Sequence, residues 1–422
     1  MGGQPALEGL ERVSPTTNPA QAAAPVSEAE LRHGADAEPV ATLRQLPVFC
    51  NALAATEHEA RSTPRGDIEL CYSPVTGYLW NRAFDPELVA YNPAYENSLH
   101  YSPRFAAFAA GLVDRLVSRY DLRGRRLVEI GCGEANFLAQ LCEAGDNRGV
   151  GYDPSFDPAR HKVTESDRVE VIADYYPVDR AVDADLVLCQ HVLEHVPEPA
   201  ALVSGVRRSL PAAATPVYFE VPDATYMVEQ LAVWDLIYEH YSYFAAPTLR
   251  WLFERAGFEV TEVGRTFGDQ YLYLEARPGS AVGTGATEIG RDAAPPDRAA
   301  LAGLTAAVSA FGAHLARLVT DWTARLDHYV GAGPVAVWGA GSKGVTFLNL
   351  VDAGAHVAHV VDVNPNKAGL FVPGTGQAIE GPDALAGGEL ATVLVMNPLY
   401  TEEIGEMLAA RGLHPELVPV DS

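Results

Sequence analysis

The sequence predicts an α/β protein with two Rossmann-like, doubly wound sheets in tandem and a small subdomain ahead of them. Three observations predict it. From Arg126 onward, short apolar runs alternate with helix-length segments: LVEIGC, FLAQLCEA, RGVGYD, VEVIADY, ADLVLCQHVLEHV, VYFEVP. That is the rhythm of βαβ units in a parallel sheet. The same rhythm restarts near the C-terminus in VAVWGAGSKGVTFLNLV, HVAHVVDVNPNK, ATVLVMNP and TEEIGEMLAARG. Each series opens on a glycine turn between a strand and a helix, Gly131 and Gly133 in the first, Gly339, Gly341 and Gly344 in the second.

Taken in order, residues 1–40 are rich in Ala, Gly, Pro and Glu without sustained periodicity and are expected to be a disordered tail. Residues 41–100 form a small subdomain with strand-like pieces (DIELCY, GYLWN). Residues 101–278 make the first sheet domain. It starts with a helix over Ser102–Tyr120 that carries Phe105, Phe108, Leu112 and Leu116 on one face. It closes with APTLRWLFERAGFEVTEVGRTFGDQYLYLEARP, a helix and two strands. Residues 279–330 hold a Gly/Ala/Pro linker, Gly279–Pro296, and a long helix from Leu301 to Tyr329 expected to pack between domains. The second sheet domain covers 331–422.

Composition narrows the function. The chain has 422 residues, 48% of them hydrophobic, enough for more than one core. It has 55 acidic against 30 basic residues, a net charge of −25, which disfavours nucleic acid and anionic membranes as partners. A phosphate-bearing ligand must then be caught by a local site of backbone N–H groups. No apolar run approaches the roughly 20 residues of a membrane helix, and no secretory signal is visible. The five scattered cysteines, Cys50, Cys71, Cys132, Cys142 and Cys189, build no disulfide framework. A cytoplasmic location is expected.

The two glycine loops compete for the cofactor. Gly339-Ala-Gly-Ser-Lys-Gly344 matches G-x-G-x-x-G and is followed roughly 20 residues on by Asp362, the spacing of a nicotinamide-binding unit. The stretch after Asp362 is too short for a full dinucleotide fold, so a phosphate-cradling role is favoured for this loop. The first loop reads E-x-G-x-G, Glu129 to Gly133, with Asp153 ending the next strand. That is the S-adenosylmethionine version: glycines let backbone approach the amino-acid part of the cofactor, Glu129 orients the loop or the ammonium, and Asp153 accepts the ribose hydroxyls. Cofactor contacts are expected from Glu129, Gly131, Cys132, Gly133, Asp153, Asp174 and His195.

Several segments together resemble one family, the three-domain sugar C-methyltransferases of deoxysugar biosynthesis. They are EIGCGEANF, QHVLEHVPEP, DLIYEHYSYFAAPTLRWLFERAGFEV, VWGAGSKGVTFLNL, VVDVNPNKAGLFVPGTGQAI and VMNPLYTEEI, and the resemblance runs from about Pro47 to the C-terminus. It implies a class I methyltransferase core that binds S-adenosylmethionine, and a nucleotide-linked 4-keto sugar as acceptor, its diphosphate lying between the middle and C-terminal domains. Gly339, Gly341, Ser342, Lys343, Gly344, Asp362 and Asn397 are then the expected substrate contacts. The family's N-terminal domain carries two Cys pairs that bind zinc. Here one pair is replaced by Ser73-Pro74-Val75-Thr76 and the other is reduced to Cys50, so no metal is expected.

Methylating carbon requires a base, a stabiliser for the enolate oxygen and tight positioning, because the carbon has no lone pair until a proton next to the ketone has left. Tyr238-Glu239-His240-Tyr241 matches the family's Glu-His segment, which implies His240 as base, with Glu239 bonded to a sugar hydroxyl or orienting the histidine. His191 and His195 lie in the region that the family places at the cofactor lip. His195 is expected to be structural or adenine-side, and His191 to polarise the acceptor carbonyl. Tyr95 is a candidate for packing near the reactive methyl or donating to the enolate oxygen. The alternative functions are N- or O-methylation of a non-sugar metabolite on the same fold, and a non-catalytic module that retains the cofactor site. The oligomeric state stays open.

Overall fold

The computed structural model describes residues 27–33, 39–89, 98–157, 167–210, 215–279, 293–351, 353 and 356–420. Most of the expected linker, and Tyr95, lie outside the described residues.

Part of the stretch expected as a tail is an ordered helical turn, α1 (Glu28–Leu31). Ser27 and Glu30 form a reciprocal capping box, and Leu31 is fully buried. Glu28 accepts from the Ala200 N–H at 2.9 Å, and Glu30 pairs with Arg255 at 2.6 Å. Ser73 and Thr76 donate their hydroxyls to the carbonyls of His33 and Leu31. One capping box and one buried leucine thus outweigh the unpromising composition around them. Leu31→Ala is expected to lower stability by about 2–4 kcal/mol in chemical denaturation; an unchanged midpoint would mean that the turn is not docked in solution.

Strands β1 (Ala41–Pro47), β2 (Arg65–Tyr72) and β3 (Leu79–Asn81) form an antiparallel sheet, with helix α2 (Glu57–Arg61) between the first two. Helix α3 (Pro103–Tyr120), N-capped by Ser102, leads into β4 (Arg126–Ile130), α4 (Asn136–Gly145), β5 (Arg148–Tyr152), β6 (Val169–Ile172), β7 (Leu186–Gln190), α5 (Pro199–Ser209) and β8 (Val217–Pro222). After α6 (Ala224–Glu229) comes β9 (Ser242–Tyr243), which pairs with β3 and so completes the N-terminal sheet. Then α7 (Ala246–Arg255), β10 (Phe258–Thr266) and β11 (Tyr271–Pro278) close a seven-stranded sheet of order β10-β11-β8-β7-β4-β5-β6, with β11 antiparallel to both neighbours. Its strands alternate between two cores: Leu186 and Leu188 face α3 and α4, while Val187 and Cys189 face α5 and α7.

Helix α8 (Arg298–Ala332) follows, with Leu301, Leu304, Val308, Phe311, Leu315, Leu318, Trp322 and Leu326 as its buried stripe. The C-terminal unit has β12 (Val335–Trp338), α9 (Ser342–Leu350), β13 (His359–Val361), β14 (Ile379–Glu380), β15 (Thr392–Val395), α10 (Thr401–Ala409) and β16 (Glu416–Pro419). They form a parallel sheet of order β14-β13-β12-β15-β16. One hydrophobic core is shared by β1 and β2, the stripe of α8, residues 224–245 and one face of this sheet, so it crosses the boundaries expected from the sequence.

Among the parallel strands of each α/β sheet the order reverses once, between β4 and β7 and between β12 and β15. Ligand crevices open at such points, at the carboxyl ends of the strands. Both glycine loops lie there.

Candidate active site

Past β4 the chain turns at Gly131 (φ 68°) and Gly133 (φ 52°). A Cβ on Gly131 would stand 2.2 Å from Val192 Cγ2, so the loop after β4 lies against the loop after β7. A Cβ on Gly133 would meet nothing within 4 Å, which leaves its backbone open to a ligand. Glu129 is 4% exposed, and its Oε2 has no hydrogen-bond partner. Burial, and then the nearby Asp153 carboxylate, push its carboxyl up to about 8. Asp153 follows β5; its Oδ2 accepts from the Gly133 N–H at 2.8 Å, and its Oδ1 accepts from the Ser155 N–H at 2.8 Å and hydroxyl at 2.6 Å. Cys132 packs its sulfur against Gly151, where a Cβ would come within 2.4 Å of it. Asp174 follows β6, exposed, and accepts from the Tyr175 N–H.

Past β7 the loop carries His191 at φ 53°, an uncommon conformation for a residue with a side chain. Its ring lies between two buried carboxylates, Nδ1 3.5 Å from Glu194 and Nε2 3.3 Å from Glu220, with Tyr271 edge-on at 4.4 Å. Burial alone would depress its pKa, but the two glutamates outweigh that and push it up to about 10. Its ordinary value is 6.5, so the stability this cation contributes is fully present below pH 6.5 and is lost as pH rises to about 10. His191→Gln is expected to flatten that alkaline decline in melts recorded across the range; a variant that declines in parallel with the parent would show that His191 does not hold the proton.

Residues 238–244 bring a second histidine to the same place. His240 is edge-on to His195 at 4.8 Å, and His195 Nδ1 donates to the Glu239 carbonyl at 3.0 Å. Burial, then the neighbouring His195, depress the His240 pKa to about 3, so its ring is neutral. Its Nδ1 is buried without a hydrogen-bond partner. The Glu239 side chain turns the other way: 2% exposed, it accepts from the Cys50 N–H at 2.9 Å and anchors the segment to the N-terminal subdomain. Tyr238 is also structural, stacked on Phe84 with its hydroxyl accepting from the Asp85 N–H at 2.8 Å. Cys50 and Cys71 are both buried, in different cores.

In the second loop, Gly339 (φ 113°) turns the chain and Gly344 packs so closely that a Cβ would lie 1.9 Å from the Gly339 carbonyl oxygen. Gly341 caps the start of α9. Ser342 Oγ accepts from Asn51 Nδ2 at 3.2 Å, and Lys343 pairs with Asp235 at 3.1 Å. Asp362 accepts from the Ala340 N–H at 2.9 Å, from Lys367 Nζ at 3.1 Å and from the Asn364 N–H at 2.9 Å. Its oxygens hold the loop's shape, as those of Asp153 do in the first loop. Asn397, past β15, forms a reciprocal amide pair with Gln270 at 2.9 and 3.0 Å and so ties the C-terminal unit to the β10–β11 turn.

The profile of a methyltransferase domain matches residues 100–263, and that of a C-methyltransferase C-terminal domain matches residues 297–412. The chain thus carries a methyltransferase domain and, behind it, a C-methyltransferase C-terminal domain. It is 31% identical over 124 residues to the ubiquinone biosynthesis O-methyltransferase of Methylococcus capsulatus, covering 27% of this chain and 50% of that protein. Over 99 residues it is 28% identical to the protein of the same name from Neisseria meningitidis serogroup C, covering 22% and 42%. The chain spans about half the length of the curated relatives it matches. Among solved structures, an S-adenosylmethionine-dependent methyltransferase from Mesorhizobium loti aligns with 40% of this chain and 99% of its own, at 17% identity and a TM-score of 0.33. Magnesium protoporphyrin IX methyltransferase from Synechocystis aligns with 42% and 84%, at 20% identity and a TM-score of 0.34.

The first loop fits S-adenosylmethionine. The open side of Gly133, the unpartnered Oε2 of Glu129 and the carboxylate of Asp153 converge at the carboxyl ends of β4 and β5, with donors and acceptors suited to backbone approach, an ammonium and ribose hydroxyls. Glu194, Glu220, Tyr271 and Lys367 were not singled out from the sequence. Only Glu194 had a local signal, as the acid inside His191-Val-Leu-Glu-His195; the others come from distant strands or turns.

Proposed function

We propose that this methyltransferase transfers its methyl group to carbon, on a nucleotide-linked keto deoxysugar, through an enolate. The observation that carries the reading is the C-methyltransferase C-terminal domain over residues 297–412, behind the donor-binding domain. The side chains at the β7 end supply the chemistry. His240, neutral and with a buried free Nδ1, takes the proton next to the ketone, and the C–H electron pair becomes the enolate. His191, a cation held by Glu194 and Glu220, opposes the negative charge that develops on the enolate oxygen. S-adenosylmethionine supplies an electrophilic methyl carbon and leaves as the neutral thioether. Glu129, Gly131, Gly133 and Asp153 hold the donor, with Asp174 and His195 at its margin. The N-terminus of α9, with Gly341, Ser342 and Lys343, receives the acceptor's diphosphate, Lys343 exchanging Asp235 for phosphate oxygens.

O-methylation of a small hydroxylated acceptor is the second reading, favoured by the activity of the curated relatives. Proton exchange separates the two. A panel of nucleoside-diphosphate-linked 4-keto deoxysugars is incubated with the enzyme in deuterium oxide without methyl donor. Enzyme-dependent deuterium uptake next to the ketone supports carbon methylation. No uptake with any of them, together with methyl transfer to a hydroxylated acceptor, would remove it.

A further inference from the structure

Glu194, His195 and His240 each offer one ligand atom, and these atoms lie within 4.8 Å of one another. Glu194 is 1% exposed and neither of its oxygens accepts a hydrogen bond, although Oε1 faces His191 Nδ1 at 3.5 Å. A buried carboxylate in that condition calls for a partner. His195 donates Nδ1 to the Glu239 carbonyl, which fixes the tautomer and leaves Nε2 as the lone-pair atom. A backbone carbonyl behind the distal nitrogen is the arrangement that orients a metal-bound imidazole. His240 adds a second imidazole with a buried, unpartnered Nδ1. Glu220, 3.3 Å from the His191 ring, brings a second buried carboxylate close to the cluster.

We infer that the Glu194–His195–His240 cluster takes a divalent transition metal, and that the ion silences the enzyme because it occupies the base. Two imidazoles and one carboxylate suit Zn²⁺ and its neighbours in the first transition row, not Mg²⁺ or Ca²⁺, which prefer all-oxygen sites. The lone pair that would take the acceptor's proton becomes a ligand, so binding the ion and abstracting the proton exclude each other. The metal site stands on the cluster geometry alone; the silencing rests on the proposed role of His240 as base.

The test uses untagged, metal-stripped enzyme titrated with Co²⁺, with Zn²⁺ as competitor. One equivalent of Co²⁺ should bind, with visible ligand-field absorption that Zn²⁺ abolishes. Glu194→Gln, His195→Ala and His240→Ala should each weaken binding at least about tenfold, while His328→Ala, on the exposed side of α8, should leave it unchanged. Where His195→Ala does not fold, His195→Asn, which keeps a side-chain N–H for the Glu239 carbonyl, is read instead. Absence of binding, or binding that survives all three substitutions, overturns the site. Zn²⁺ should stop methyl transfer at one equivalent, and a chelator should restore it. Undiminished transfer with the site filled would keep the metal site and remove His240 as the base.

Discussion

His240→Ala is expected to reduce methyl transfer by about 10²–10⁴-fold, the contribution of a positioned general base, and to leave S-adenosylmethionine affinity intact. The separation follows from the layout. The donor contacts proposed above gather at the ends of β4 and β5, whereas His240 belongs to the segment that runs into β9. Direct binding calorimetry beside a transfer assay reads both quantities. A variant that keeps its rate would strip His240 of the role, and one that loses donor binding as well would place it in the donor site. The pH profile gives an independent check. A base with its pKa depressed to about 3 predicts no acid-side fall in kcat/KM near 6.5, the ordinary value for histidine. On the alkaline side, kcat/KM should fall as His191 loses its proton near 10. A fall at 6.5 that disappears in the variant would mean that the acceptor-bound enzyme restores an ordinary histidine.

Gly131→Ala should cost at least about tenfold in donor affinity. Its φ of 68° lies where a side chain carries strain, and the new methyl would stand 2.2 Å from Val192 Cγ2. Strain of this kind amounts to about 1–3 kcal/mol, before the clash is counted. Val192 follows His191 directly, so the push is transmitted to the residue proposed to face the acceptor, and transfer should fall further than donor binding does. The double variant with Val192→Ala relieves the clash but not the backbone strain. It should recover part of the loss. Full recovery would assign the effect to packing alone, and no recovery would assign it to φ alone.

How much of this was legible in the sequence depended on whether the signal was local. The near-continuous apolar runs in LVEIG, ADLVLC and VAVW arise because successive side chains of a strand point to opposite faces, and each of those runs is a strand that faces two cores. The glycine turns were readable because positive φ and close approach exclude side chains, as at Gly131 and Gly344. The ion pairs of the site were not. Glu220 lies on β8 and reaches His191 only because β7 and β8 are neighbours in the sheet. Lys367 meets Asp362 through a turn whose course is fixed by the Asn364 side chain. The docked turn at 27–33 did leave a trace, the Ser27-Glu28-Ala29-Glu30 capping box, but it was outweighed by the composition of its surroundings. Glu239 had the residue type of a substrate contact; only its bond to the Cys50 N–H reveals an anchor.

Strand β9 is two residues long and starts two positions after His240, yet its partners, Leu79 and Trp80, belong to the N-terminal sheet. The small subdomain is therefore not an interchangeable attachment. A chimera that replaced residues 41–81 with those of another enzyme would strip the histidine segment of its edge pairing and of the Tyr78–Ser242 hydroxyl contact at 2.6 Å. The smallest piece that can be traded between such enzymes without disturbing His240 is discontinuous, and it must carry residues 238–244 along with the subdomain.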